Sequence, residues 1–303
     1  MHATRIRHAA LLTTLTLCCG GALARTVDPL LRPILPREAQ RWLAPQRPLR
    51  IAANSYLVGF GGLTVVLIRT DAGLILIDGA VPQAVRRVEA NIRALGFRIA
   101  DVKLILSTEP HFDHAGGIAA LARDSGATVV ASGWAASVLE AGRPGAEDPQ
   151  VGYGIRFPAT PPVRTVRDGE AVRLGHTTVT AHATAGHTPG SMSWSWRSCE
   201  GARCRTVVFA SSLNPIAGKG YRYADHPDAI AAFRRSFATL RALPCDVLLT
   251  AHPDQSGGDR KARRLAAGGH GNPFVDPGAC RAYAAAYEAL FDKRLADEAA
   301  GRE

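Results

Sequence analysis

No apolar run in the 303 residues reaches the ~18 that a membrane-spanning helix requires, which excludes an integral membrane protein. Basic residues interleaved with aromatics are also missing. Lys and Arg outnumber Asp and Glu by 36 to 26, a formal charge of +10. Yet the densest groupings, Arg86-Arg87, Arg234-Arg235 and Arg260-Lys261-Ala262-Arg263-Arg264, contain no stacking side chain, so no nucleic-acid partner is expected. The charge reads as solubility and a weak attraction for anionic ligands. Cysteine is scarce, at six. The rest is ordinary: 47% apolar and 20% charged residues, the balance of a globular chain and not of a disordered one. The length suits one large domain or two modest ones.

Residues 1–24 have the three parts of a secretory signal. Arg5 and Arg7 form the positive end, residues 9–17 a short apolar stretch, and Ala22-Leu23-Ala24 the small residues before a cut. The apolar part is too short for an uncleaved anchor. Cleavage would remove two charges, taking +10 to +8, and two cysteines, Cys18 and Cys19. Four would remain in an oxidising compartment, and four cysteines allow three pairings. Cys199 and Cys204 flank a hairpin-sized loop and should pair locally, which leaves Cys245 with Cys280.

Residues 63–69 and 74–78 are short β-branched or aliphatic runs split by the turn signal Asp71-Ala72-Gly73. Val85, Val88, Ile92 and Leu95 then recur at helical spacing with Gly96 as a stop, and 102–106 reads as a buried strand. A helix around 118–121, a strand at 128–131 and a helix at 135–139 complete one half. A polar, Pro-rich surface loop fills 142–162. Strands are expected beyond it at 171–174, 177–183, 192–196 and 206–210, then a helix at 229–240 and a strand at 247–250. A last helix puts Cys280, Tyr283, Tyr287, Leu290 and Phe291 on one face. Helices and strands mix in both halves, and two packed sheets with helices on both outer faces would bury them.

The chemistry concentrates after the strand at 102–106, in Ser107-Thr108-Glu109-Pro110-His111-Phe112-Asp113-His114-Ala115-Gly116-Gly117. Pro110 pushes Glu109 toward an extended conformation. In an extended segment Glu109, His111 and Asp113 share one side, and His114 joins Asp113 once the chain turns at the Gly pair. Four oxygen and nitrogen donors within six residues mark a metal site. Two more histidines stand just past strand ends: His187, in Gly186-His187-Thr188-Pro189-Gly190, and His252, before Pro253. His176, His182, His226 and His270 lack this setting and read as surface or hydrogen-bonded residues.

These segments together resemble the metallo-β-lactamase superfamily, and within it the subclass B3 metallo-β-lactamases. The likeness runs from Trp42-Leu43-Ala44-Pro45 through Leu76-Ile77-Asp78-Gly79 to Ala279-Cys280-Arg281-Ala282-Tyr283. The subclass rests on His114, on Ser212 where other subclasses carry a cysteine ligand, on the Cys245 and Cys280 contexts and on the flanking sequence. The resemblance implies an α/β fold of the αββα sandwich type, as a single domain over 25–303, with two zinc ions at one edge. Glu109, His111 and His187 would hold the first, and Asp113, His114 and His252 the second. Asp78 would support the ligand loop from beneath the metals. The family usually has a histidine where Glu109 stands. Carboxylate oxygen is an acceptable zinc ligand, so the site is expected to be altered and not lost.

The resemblance further implies a periplasmic, monomeric hydrolase that confers resistance to β-lactam antibiotics by opening their lactam amide with a zinc-bound hydroxide, which Asp113 orients. Ser212 and Asn214 match the stretch that meets the substrate carboxylate, although the family often has a hydroxyl at position 214. Lys219, close by in sequence, either adds charge attraction or is a solvated loop residue. Two rivals share the same ligands: a hydrolase of lactones or thioesters on the same fold, and an exported zinc-binding homologue without activity.

Overall fold

Strand runs with both faces buried set the centre of the molecule. Leu74, Ile75, Leu76 and Ile77 are at most 2% exposed, and Val207, Val208, Phe209 and Ala210 are fully buried. Such strands need a covering layer on each side. The computed structural model, which describes residues 28–34, 40–268 and 270–302, supplies those layers. The expected signal segment, 1–24, lies outside the described residues.

One sheet runs in chain order through β1 (Leu49–Ala52), β2 (Ser55–Leu57), β3 (Val66–Thr70), β4 (Gly73–Ile77), β5 (Val102–Leu106), β6 (Thr128–Ser132) and β7 (Arg164–Val166). It is antiparallel up to β4 and parallel from β4 to β7. The other comprises β8 (Ala171–Leu174), β9 (Thr177–Ala183), β10 (Met192–Glu200), β11 (Arg203–Ala210) and β12 (Val247–Thr250), in the spatial order β12-β11-β10-β9-β8. Only β11 and β12 pair in parallel there. The helices are α1 (Val85–Ala94), α2 (Phe112–Ala115), α3 (Ile118–Ser125), α4 (Gly133–Ala141), α5 (Pro227–Ala242), α6 (Gly258–Ala266) and α7 (Ala279–Ala299).

The period of two along each strand sorts the side chains into layers. Ile75 and Ile77 of β4 point inward and meet Val179, Trp194, Phe209 and Leu249 of the second sheet. Leu74 and Leu76, one residue out of phase, pack outward with Val88 and Ile92 of α1, Leu121 of α3 and Val138 of α4. On the far side Val208 and Leu248 pack with Phe233 and Phe237 of α5 and Phe291 of α7. Each such side chain contributes roughly 1.5–3 kcal/mol on burial. The result is the expected αββα sandwich.

The strands at 102–106, 171–174, 177–183 and 247–250 lie where the sequence places them. The β10–β11 hairpin runs further than expected, out to Glu200 and Arg203, and Cys199–Cys204 staples its tip. Cys245–Cys280 ties the start of β12 to α7. Unexpected elements are β1, β2, β7 and α6, all short, and a 3-10 turn at Val151–Tyr153 inside the loop 142–162. Since β4 and β5 are parallel, both end at one edge of their sheet. The alternation through β10 likewise brings the ends of β9, β11 and β12 to one edge of theirs.

Candidate metal centre

The turns beyond those strand ends carry the chemistry. Past β4, Asp78 holds φ 63° and Ala80 φ 56°, left-handed conformations that only surrounding bonds can maintain. Asp78 N–H donates to Leu106 O, and its carboxylate accepts from Thr108 N–H (2.7 Å) and the Thr108 hydroxyl (2.6 Å). The loop that follows β5 is thereby clamped onto the end of β4. Gly117 lets the two turns touch, since a Cβ there would lie 2.2 Å from Gly79 O. The extended alternation expected through Asp113 stops at His111 (φ −82°, ψ 150°). A single helical turn, α2, starts at Phe112 and projects Asp113 and His114 instead. The donors still meet, by a different local route from the one the alternation implies.

Six donors converge from three segments. His111 Nδ1 lies 3.1 Å from His187 Nε2, and His114 Nε2 lies 3.3 Å from His252 Nε2. Asp113 Oδ2 is 3.2 Å from His252 Nε2 and 3.4 Å from His114 Nε2. Asp113, His114 and His252 offer ligand atoms that all fall within 4.8 Å of one another. Glu109, fully buried, stands between the two histidine pairs: Oε1 is 3.1 Å from His114 Nε2, and Oε2 is 3.9 Å from His187 Nε2. Ser212 N–H donates to Oε2 (3.2 Å).

These residues fit a metal ion on a test internal to the structure. Three imidazoles donate their outer N–H to the protein: His111 Nε2 to the Asp148 carboxylate (3.1 and 3.2 Å), His187 Nδ1 to Asn214 O (2.6 Å) and His252 Nδ1 to Gly62 O (3.2 Å). That fixes their tautomers and leaves the inner nitrogens as lone pairs aimed at one another and at carboxylates. Facing lone pairs repel unless a donor or a cation lies among them, and at the His111–His187 pair the one neutral donor in reach is the Gln150 amide, at 3.4 and 3.3 Å. Glu109 Oε1 is moreover buried with no hydrogen-bond partner. Burial works against charge on His114, yet Asp113 and Glu109 raise its pKa to about 10. Asp113 goes the other way: despite burial, His114 and His252 hold it well below the usual carboxylate range. Asp78, fully buried, is pushed up to about 7 by burial, with His114 and Thr108 opposing. Nitrogen and carboxylate donors in this number suit zinc.

Above the donors opens a cleft of about 760 Å³. His111, Asp113, His187 and His252 reach it, and Ser212 and Asn214 line it. Lys219 is exposed and lies outside the lining. Trp42 forms one wall, 5.7 Å from the Phe112 ring and 5.9 Å from the His252 ring, and Gln150, Tyr153, Ile155 and Ile216 form another. The Ser212 hydroxyl accepts from Asn214 N–H (3.2 Å) and Gln255 Nε2–H (3.3 Å), so its own proton is left to donate. Tyr283 sets this wall from behind. Its hydroxyl donates to Gln255 Oε1 (3.1 Å) and accepts from Leu213 N–H (3.1 Å). Sequence reasoning missed Asp148, Gln150 and Gln255. Only the loop around the first two carried a signal, as the polar, Pro-rich stretch 142–162. His176 pairs with Asp71, His182 with Ser195, and His226 stacks on Tyr221, all away from the centre.

Comparison with known proteins agrees with this geometry. Residues 58–252 match the model of the metallo-β-lactamase superfamily. A B3 metallo-β-lactamase with an active-site glutamic acid is 51% identical over 91% of this chain and 99% of its own, with a TM-score of 0.84. MEM-A1, a subclass B3 metallo-β-lactamase from a soil metagenome library, is 44% identical over 86% of this chain and 100% of its own (TM-score 0.83). BJP-1, a subclass B3 metallo-β-lactamase of Bradyrhizobium japonicum, is 37% identical over 87% and 99% (TM-score 0.79).

Proposed function

Because the chain belongs to the metallo-β-lactamase superfamily, on its B3 branch, we propose that it hydrolyses the lactam amide of penicillins, cephalosporins and carbapenems. One observation carries this reading: six nitrogen and carboxylate donors converge beneath a cleft walled by Ser212 and Asn214. Glu109, His111 and His187 would hold one zinc ion, and Asp113, His114 and His252 a second. Zinc at such a site polarises a carbonyl oxygen and makes a neighbouring water acidic enough to ionise near neutral pH.

The chain's own groups do the rest. Water adds across the C–N bond, its oxygen to the carbonyl carbon and a proton to the departing nitrogen. Of the carboxylates that line the cleft (Asp113, Asp254 and Asp259), Asp113 alone belongs to the donor cluster, and it orients the water and holds the proton until the nitrogen takes it. The free proton of Ser212 and the Asn214 amide meet the substrate carboxylate, so that the lactam bond is presented to Asp113 and not to the rim. Two disulfides suit an oxidising compartment. With the signal-like residues 1–24 they support export of one domain, 25–303, to the periplasm, where it would confer resistance as a monomer. Steady-state hydrolysis of a penicillin, a cephalosporin and a carbapenem, with and without a chelator, tests the proposal. Turnover abolished by chelation and restored by zinc is expected. Turnover that survives complete zinc removal, or none with zinc-replete protein, would sink it.

A further inference from the structure

The loop 142–162 holds one buried carboxylate, Asp148, which is fully shielded from solvent although its loop lies on the surface. Both its oxygens face His111 Nε2, at 3.2 and 3.1 Å, and one also accepts from Gln150 N–H at 2.7 Å. A carboxylate accepts only, so it fixes the proton on Nε2 and turns Nδ1 inward. Two residues on, the Gln150 amide nitrogen stands 3.4 Å from His111 Nδ1 and 3.3 Å from His187 Nε2. The loop therefore grips His111 from behind and reaches round to its inner side. The loop is also pinned to the neighbouring segment of the same wall: Gly218 N–H donates to Pro149 O (2.8 Å), and the Tyr153 hydroxyl donates to Ala217 O (3.0 Å). The same wall supplies Asn214 O to His187.

Resting on the metal-centre reading above, we propose that Asp148 is the positioning residue of the first donor set, and that it couples cation binding to the ordering of the loop over the cleft. A group that orients an imidazole ligand changes its metal affinity by about 10–100-fold. Coupling between two binding or ordering events is reciprocal, so the opening of the loop shifts by the same factor when the cation binds. The strap over the cleft then closes fully only on a loaded centre. Substrate meets a finished wall only where the metal to process it is present.

The test is zinc titration against a chromophoric chelator, with amide hydrogen exchange at Val151 and Tyr153, whose N–H groups donate to Asp148 O and Gln150 O inside the loop. Wild type, Asp148→Asn and Asp148→Ala are compared. In wild type, two zinc steps are expected, and zinc should slow exchange at both amides by about 10–100-fold. Asp148→Ala should weaken one zinc step by that factor and lose most of the zinc-dependent slowing. Its other step, held within about threefold, shows that the variant is folded. Asp148→Asn keeps an acceptor for Nε2–H without the charge, so it should fall between the two. A merely structural role would not produce this graded response, nor link it to one zinc step. If Asp148→Ala binds two zincs as wild type does and its loop responds to them equally, the coupling is wrong while the metal centre stands. If wild type binds no zinc, the metal-centre reading fails and takes this inference with it.

Discussion

The two donor sets are built from similar side chains but supported in different ways. Asp113 and His114 leave one helical turn and meet His252 at the end of β12, with ligand atoms within 4.8 Å of one another. Their supports are backbone and floor: Gly62 O holds His252, and Asp78 lies 3.9 Å from His114 Nδ1. In the other set, His111 and His187 are held by Asp148 and Asn214, both on long loops. Its third member, Glu109, has Oε1 closer to His114 of the second set (3.1 Å) than Oε2 is to His187 of its own (3.9 Å). One set is fixed by regular structure, and the other depends on loops and on a buried acid.

The sharpest way to break the comparison is to neutralise the residue that anchors the second set. Asp113→Asn keeps the shape but removes the charge that pairs with His114 and His252, and the group that holds the proton. Loss of a positioned acid–base group costs about 10²–10⁴-fold in rate. A fall in kcat of that size on a chromogenic cephalosporin is expected, with zinc bound more weakly at one step. A variant within tenfold of wild type would mean that another residue holds the proton.

Glu109 sharpens the comparison from the other side. Its carboxylate places a negative charge where a neutral imidazole would otherwise stand, and a negative neighbour raises the pKa of any group that ionises to an anion. Glu109→His should therefore move the onset of activity to lower pH, on the order of one unit, and tighten the first zinc step. Glu109→Ala removes a donor altogether. It should weaken that step by at least the ~10–100-fold that losing a supporting group costs. A pH–rate profile and a zinc titration on the three proteins read both effects. If Glu109→Ala retains two zincs and parental activity, Glu109 is a bystander.

The same contrast explains what the sequence makes legible. The spacing from Glu109 to His114 is local chemistry, and 102–106 and 247–250 are unbroken apolar runs, so both donors and strand ends can be read directly. Alternation over β9 fixes which of its faces is buried, and the unbroken apolar run of β4 marks a strand covered on both sides, hence the layers. Asp148, Gln150 and Gln255 are different. They act through contacts with residues 28 to 43 positions away in sequence, from a loop or 3-10 turn with no periodicity. No local pattern points Asp148 at His111. The short strands β1, β2 and β7 escape for a related reason, since three or four residues are too few for alternation to show. The route to Asp113 is misread because an α-helical turn of four residues outweighs the extended bias imposed by Pro110.

The smallest effect expected concerns the two disulfides, which differ in their distance from the donors. Cys245–Cys280 closes a separation of 35 residues and ties the start of β12, which delivers His252, to α7, which carries Tyr283. Cys199–Cys204 closes a separation of 5 at the tip of the β10–β11 hairpin, remote from either set. Removing loop-closure entropy from the unfolded chain gives about 4 kcal/mol for the longer closure and about 2 kcal/mol for the shorter, as upper expectations. Urea unfolding of the two paired Cys→Ala variants should therefore show the larger drop in midpoint for Cys245/Cys280. Because hydrogen bonds and packing around Tyr283 and β12 remain, kcat below the unfolding transition should stay near wild type in both variants. If the hairpin bridge proves the more stabilising, the hairpin and not the β12–α7 junction is the weak point of the fold. If removing Cys245–Cys280 lowers zinc affinity while stability holds, the second donor set depends on that bridge and is less self-supporting than its geometry indicates.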